Sequence, residues 1–231
     1  MANHLVSGLL VPDAVSGHLA LELANTRAGW GSASPREYLV SYDALVVWAG
    51  DVGHLTAAET TALRRLAARS PRPADRVLRN ALALRETVYR LLAAPAAAAD
   101  PAAPAARPGP AGADLASLHG VAARAYRSSR LVVLSDGRVL PDGGDEVTSG
   151  LALPLHRSAL AAAQLLAAGD GGHVFACAGR GCGWLFLDRA HRRRWCIMAI
   201  CGNRAKAREF AARTRTRAGS LDRPGPPPHD S

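Results

Sequence analysis

The residues of this chain best suited to chemistry are its four cysteines, arranged as Cys177-x4-Cys182-x13-Cys196-x4-Cys201. Two close pairs joined by a short connector meet the needs of tetrahedral zinc. Each pair supplies two thiolates from a tight turn, and the connector lets the second pair approach from the opposite side. The spacing of four within each pair is looser than the usual two. Gly179, Gly181, Gly183 and Gly202 flank the pairs and permit the positive φ values that turn backbone N–H groups toward sulfur. Two disulfides are the alternative use of four thiols, but they require an oxidising compartment, and nothing in the sequence indicates export. One Zn2+ held by Cys177, Cys182, Cys196 and Cys201 is therefore expected. Four sulfurs close the coordination sphere, so the metal is structural rather than catalytic. His173 and His191 are the alternative ligands near the motif.

The charge sits in the same place. Of 28 basic residues 27 are arginine, and the formal net charge of the 231 residues is +9. Between Cys177 and Arg217, ten arginines and Lys206 face only Asp188 and Glu209, so this stretch holds the whole excess and the remainder sums to zero. Four thiolates and a Zn2+ take back two charges, leaving the module at about +7. A helix entered at Asn203 and running to about Arg217 places Arg204, Arg208 and Arg215 on one side and Lys206, Arg213 and Arg217 on the other. Arg192, Arg193 and Arg194 precede the second zinc turn. The candidate nucleic-acid contacts are therefore Arg192, Arg193, Arg194, Asn203, Arg204, Lys206, Arg208 and Arg215, with Asn203 and Arg204 best placed for bases. Asn203 has a second use in fixing the turn, and Trp195 is either a stacking surface or a core plug. A solvated helix end is the alternative for the arginine run.

The elements that must position this module are mostly helical. Pro35 and Glu37 open a segment with Tyr38, Leu39, Tyr42, Leu45, Val46 and Trp48 at helical spacing. Thr56-Ala-Ala-Glu59 is a capping box, starting a helix that buries Leu63 and Leu66. A third helix follows Pro73, with Val77, Leu78, Leu82, Leu84, Val88, Leu91 and Leu92 on its apolar side. Residues 95–113, rich in proline and alanine, read as a mobile loop. Asp114 caps the next helix, and 131–134 with Val139-Leu140 around Ser135-Asp-Gly-Arg138 make a hairpin. Pro154 starts an apolar helix that ends at Gly169. The expected fold is mainly α with a small β element: a helical domain over 1–170, a zinc module and basic helix over 171–217, and a disordered tail over 218–231.

The residues FLDR, RRRWC and CGNRAK, with the arginines that follow, resemble the CGNR-type zinc finger found behind ABATE domains. The likeness spans about residues 175–215. Leu21-Glu-Leu-Ala-Asn25-Thr26, then Tyr42-Asp43 and Leu45…Trp48, resemble the Asn-Thr signature of the ABATE domain itself. Ala190 stands where that family commonly has Ser or Thr, and Ile197 where it has Ser. The resemblance implies a helical domain with a small β element, a C-terminal zinc finger, and a role in nucleic-acid binding described for stress-induced transcription regulators or for RNA-binding zinc-ribbon-like proteins.

Composition removes other classes. No apolar run reaches bilayer length, and the N-terminal MANHLVSGLL lacks the basic and long apolar regions of a signal peptide, so a soluble, cytoplasmic protein is expected. No nucleophile–base constellation, phosphate loop or carboxylate pair stands out, and we read the chain as no enzyme. The reading is a zinc-dependent DNA-binding transcription regulator with DNA favoured over RNA. Its helical domain would sense a small-molecule effector through a pocket lined by Asn25, Thr26, Trp30, Tyr42 and Trp48, or form a homodimer. An adaptor whose finger meets acidic proteins is the reading from another class. Aromatics at helical spacing also serve simply as core.

Overall fold

The computed structural model of the chain describes residues 2–98 and 112–221. Strands β1 (Asn3–Val6) and β2 (Leu9–Pro12) form a hairpin, turned by Ser7 and Gly8 at positive φ. Helix α1 (Leu19–Asn25) follows. Then β3 (Arg27–Ala28) pairs with β4 (Arg36–Glu37). Helices α2 (Tyr42–Asp51), α3 (Ala57–Arg69), α4 (Pro71–Ala98) and α5 (Gly112–Ser128) lead to the hairpin of β5 (Leu131–Val133) and β6 (Val139–Pro141). Helix α6 (Leu153–Ala167) ends at Gly169, which takes the left-handed conformation that favours glycine. The hairpin of β7 (Val174–Ala176) and β8 (Leu185–Leu187), a π turn over Met198–Gly202 and helix α7 (Asn203–Leu221) complete the described residues.

Hydrophobic burial explains the order of layers. Residues Ala20–Asn25 of α1 and Ala44–Ala49 of α2 are buried almost throughout, so these two short helices form the centre. The longer α4 is amphipathic and turns Ala81, Leu84, Val88, Leu91 and Leu92 inward. Helix α6 closes the other side with Leu153, Leu160 and Leu165. Each such leucine contributes about 2 kcal/mol by leaving water. Trp48 lies fully buried among them.

Local signals and their tertiary use agree at α3. The Thr56 hydroxyl accepts from the Glu59 N–H at 3.2 Å, and the Glu59 carboxylate accepts from the Thr56 N–H at 2.7 Å. The same carboxylate receives both terminal nitrogens of Arg157 on α6, at 2.9 and 2.7 Å, so the cap also ties two helices. Leu63 is buried as expected. Leu66 is not: it faces outward with 36% of its surface exposed.

Five boundaries differ from the sequence reading. The helix expected from Pro35 begins at Tyr42, because Ser41 supplies the cap by accepting from the Ala44 N–H. Glu37 is instead in β4, where its carboxylate accepts from the Leu39 N–H and from Arg85. Helix α4 begins at Pro71, ahead of Pro73. Helix α5 begins at Gly112, so Asp114 sits in its first turn and holds Arg90 of α4 at 2.6 Å rather than capping the end. The 95–113 loop is shorter than expected, since alanine sustains helix well: residues 95–98 belong to α4 and 112–113 to α5. The rest of that loop, 99–111, lies outside the described residues. Helix α7 continues past Arg217 to Leu221, and the remaining tail, 222–231, also lies outside them.

Candidate metal centre and nucleic-acid interface

The first cysteine pair lies on the β7–β8 hairpin. Cys177 follows β7 and donates its N–H to the Trp184 carbonyl at 2.8 Å, and Cys182 closes the knuckle with an N–H to the Gly179 carbonyl at 2.8 Å. The second pair frames the π turn, in which the Cys201 N–H donates to the Ile197 carbonyl at 2.9 Å. All four side chains are buried free thiols, and their sulfurs lie within 4.8 Å of one another. Cys182 and Cys196 are 3.8 Å apart, Cys196 and Cys201 3.6 Å. Zn–S bonds of about 2.3 Å in tetrahedral array set sulfurs about 3.8 Å apart, so the donor set fits one zinc ion. The four cysteines would hold that ion, and the metal would supply a closed structural cross-link there. Sulfur-to-sulfur hydrogen bonding draws Cys177 far below the ordinary thiol range and pushes Cys182 and Cys196 up. His173 and His191 pair with each other at 3.2 Å, and His191 sets its edge on Phe175; they are not among the clustered ligands.

The glycines act in two ways. Gly181 and Gly183 take positive φ as expected. Gly179 and Gly202 do not, and space is what they provide. A Cβ on Gly179 would press the sulfurs of Cys201 and Cys177 at 3.2 and 3.3 Å, and one on Gly202 would collide with the Met198 sulfur. Asn203 fixes the turn: its side-chain amide donates to the Ala199 carbonyl at 3.0 Å, satisfying the π turn where α7 starts.

The knuckle is held by Asn25 of the Asn-Thr signature and by aromatic residues around it. Asn25 is fully buried, and its amide both donates to the Leu185 carbonyl and accepts from the Leu185 N–H, each at 2.9 Å. It does for β8 what a neighbouring strand would do. Thr26 donates to the Leu23 carbonyl at 2.7 Å. Trp30 stacks on Tyr89 at 3.6 Å, the Tyr89 hydroxyl donates to the Gly183 carbonyl at 3.0 Å, and the Trp184 indole donates to the Arg27 carbonyl at 3.1 Å. Ala28 and Tyr38 share one apolar cluster with the four cysteines. Tyr42 is used elsewhere, donating to the Leu151 carbonyl at 2.8 Å, and Trp48 is in the main core. Asn25, Thr26 and Tyr42 are thus bonded to backbone groups at separate places in the interior, and Trp48 packs in the core with its indole N–H unpartnered among the described residues. A groove of about 590 Å3 between α5 and α6, and a cleft of about 370 Å3 under β5–β6, are lined by other residues.

The candidate nucleic-acid residues divide by where their guanidinium groups go. Asp188 organises the loop before the second pair. Its carboxylate accepts backbone N–H bonds from Arg193, Arg192 and Ala190, which hold its pKa below the usual range, the Arg193 bond contributing most. The Arg193 side chain lies along the surface, where it donates to the carbonyls of Val15 at 3.0 Å and Cys196 at 2.6 Å and covers Phe186 at 4.4 Å. Arg192 is exposed, and Arg194 lies over the Trp195 ring at 5.2 Å. On α7, Asn203, Arg204, Lys206, Arg208 and Arg215 are all exposed. The anchoring roles of Asp188, Arg193 and Tyr89 carried no spacing signal, because each joins segments distant in sequence or uses backbone partners.

Comparison with known families agrees with this geometry. The ABATE model, described as "Putative stress-induced transcription regulator", matches residues 17–169, and the CGNR zinc finger model matches residues 173–214. Among curated proteins, no similar sequence was found. No described helix is long and apolar enough to cross a membrane. With two independent matches covering the helical domain and the four-cysteine module, the chain belongs to the ABATE family and carries a C-terminal CGNR zinc finger.

Proposed function

We propose that this protein is a zinc-dependent DNA-binding transcription regulator whose zinc centre fixes the direction in which a basic helix leaves the body. The observation that carries the reading is the state of α7. Its described side chains from Arg204 to Arg215 are exposed apart from half-buried Ala205, and an Arg213–Glu209 contact at 3.6 Å is the ion pair found along it among the described residues. A helix exposed on every side buries little in its own protein, and unpaired guanidinium groups suit phosphates. Arg192 and Arg194 extend the same positive surface on the other side of the second cysteine pair. Phe210, 73% exposed on this helix, favours one second reading, RNA, because an aromatic ring on a basic surface stacks on an unpaired base.

Fluorescence anisotropy of the zinc-loaded full chain with duplex DNA, duplex RNA and single-stranded RNA, over a salt series, tests this. Five phosphate contacts give a slope of log affinity against log salt of about −4 to −5. Arg192→Ala with Arg194→Ala reduces that slope by about two while leaving the melting temperature unchanged. Preference for single-stranded RNA would move the assignment to RNA. Failure to bind any of the three, with capture of an acidic protein instead, would overturn it.

A further inference from the structure

We propose that Arg180, Arg204 and Arg208 form a phosphate-binding cleft at the zinc centre, assembled when the metal joins the two cysteine pairs. The first knuckle presents Gly179-Arg180-Gly181, a tripeptide with a single side chain at its tip. Arg204 and Arg208 lie one turn apart on the same side of α7, and the Arg208 Nε donates to the Arg204 carbonyl at 3.0 Å, which holds that guanidinium against the first turn. These residues meet around a cleft of about 40 Å3 walled by Cys182 and Cys201. A space of that size takes a group of a few heavy atoms, more than one water and less than a base. The occupant is therefore an oxyanion group.

The charge balance favours the same ligand. Arg180, Arg204 and Arg208 have no carboxylate partner among the described residues: Glu209 pairs with Arg213, and Asp188 is taken up by backbone N–H groups. A zinc tetrathiolate behind the cleft carries two negative charges, so three guanidinium groups leave a net positive site. Arginine also offers planar forks that match phosphate oxygens two at a time. Two of the three arginines come from α7 and one from the far side of the metal centre. The cleft consequently exists when zinc brings the pairs together, which couples phosphate binding to metal loading beyond any effect on helix stability.

The inference rests on the nucleic-acid reading for one point, that the phosphate belongs to a nucleic-acid backbone; the oxyanion chemistry stands apart from it. The test uses the zinc-loaded full chain with inorganic pyrophosphate, followed by 31P line broadening and by thermal shift, and in parallel with duplex DNA over a salt series. Pyrophosphate should broaden and should raise the melting temperature. Arg180→Ala, on an exposed tip that leaves the fold intact, should abolish both responses and lower the DNA salt slope by about one. Arg180→Lys should restore part of the slope and little of the pyrophosphate response, since it keeps the charge and loses the fork. Arg138→Ala, on the distant β5–β6 hairpin, should change neither. If pyrophosphate binds through Arg180 but neither DNA nor RNA does, the cleft stands and the nucleic-acid reading fails. If DNA binds and Arg180→Ala alters neither response, the cleft is refuted. Faster zinc release from Arg180→Ala with pyrophosphate binding unchanged would refute it too, by assigning the arginines to neutralising the thiolates.

Discussion

The β7–β8 knuckle and helix α7 are joined through the same four sulfurs, yet they meet the rest of the chain in opposite ways. The knuckle is sewn into the helical domain by Asn25, Trp30, Tyr89 and Trp184, with Trp184 and Phe186 almost fully buried. Helix α7 packs against the π turn that introduces it, and its side chains from Lys206 to Arg215 face solvent. Arginine shows the contrast within one residue type. Arg85, with 4% of its side chain exposed, sits between Glu37 and Glu86, and Arg193 spends its donors on carbonyls, whereas Arg204 and Arg208 have no acidic partner among the described residues. One half of the module gives it a fixed position, and the other presents charge from that position. The metal lies where the two meet.

That contrast can be broken most severely at the metal. One zinc per chain is expected by elemental analysis, and Cys182→Ser or strong chelation should cost several kcal/mol, on the order of a 10 °C drop in Tm. Because the knuckle is sewn to the body, near-UV signals of Trp30 and Trp184 should change with it. A loss confined to α7 would show that the knuckle does not depend on zinc.

The next largest effect should come from Asn25→Ala, which leaves the buried N–H and carbonyl of Leu185 unpaired at about 1–3 kcal/mol each. Chemical denaturation should report about 3 kcal/mol, and α7 helicity should survive in zinc. A change below about 1 kcal/mol would mean that the anchoring is shared too widely for this bond to matter.

Acid separates the two regions as well. Burial above all holds His54 down at about 4, against a backbone bond to Leu19 that raises it. The unfolded chain therefore takes up a proton near pH 6.5 that the folded chain refuses until about pH 4. Stability is fully present above about 6.5 and falls through that window by up to about 3 kcal/mol. Zinc ligands also protonate in acid, so the readout is the difference between wild type and His54→Gln, together with the NMR titration of His54. A normal His54 titration near 6.5 would refute the burial argument. Helix α7 contains no histidine, so no imidazole contributes there.

The smallest effect belongs to the presented helix. Arg204→Ala or Arg215→Ala should shift folding stability by no more than about 0.5 kcal/mol, as exposed substitutions do. A larger loss in denaturation would mean that α7 packs more closely than its exposure indicates.

Much of this is legible in the chain alone. The cysteine spacing names the ligands, the charge count locates the basic segment, and the Thr56–Glu59 box marks a helix start. These signals are local, and local signals survive any tertiary arrangement. Less legible are residues whose partners lie far away in sequence. Asn25 reads as one of five residues that would line an effector pocket, but its partner is the backbone of Leu185, 160 residues away. Arg193 looks equivalent to Arg192 and Arg194 by composition. The Val15 and Cys196 carbonyls and the Phe186 ring make it different.

By itself, then, the sequence determined that four thiolates would gather around one metal and that a charged helix would follow, because ligand type, spacing and charge are properties of short segments. Tertiary structure alone decided which arginines remained free and which became ties, that Asn25 would dock the finger, and that Arg180, Arg204 and Arg208 would line one cleft. Those outcomes depend on which surfaces are brought together. Burial and hydrogen-bond satisfaction set that across the whole chain.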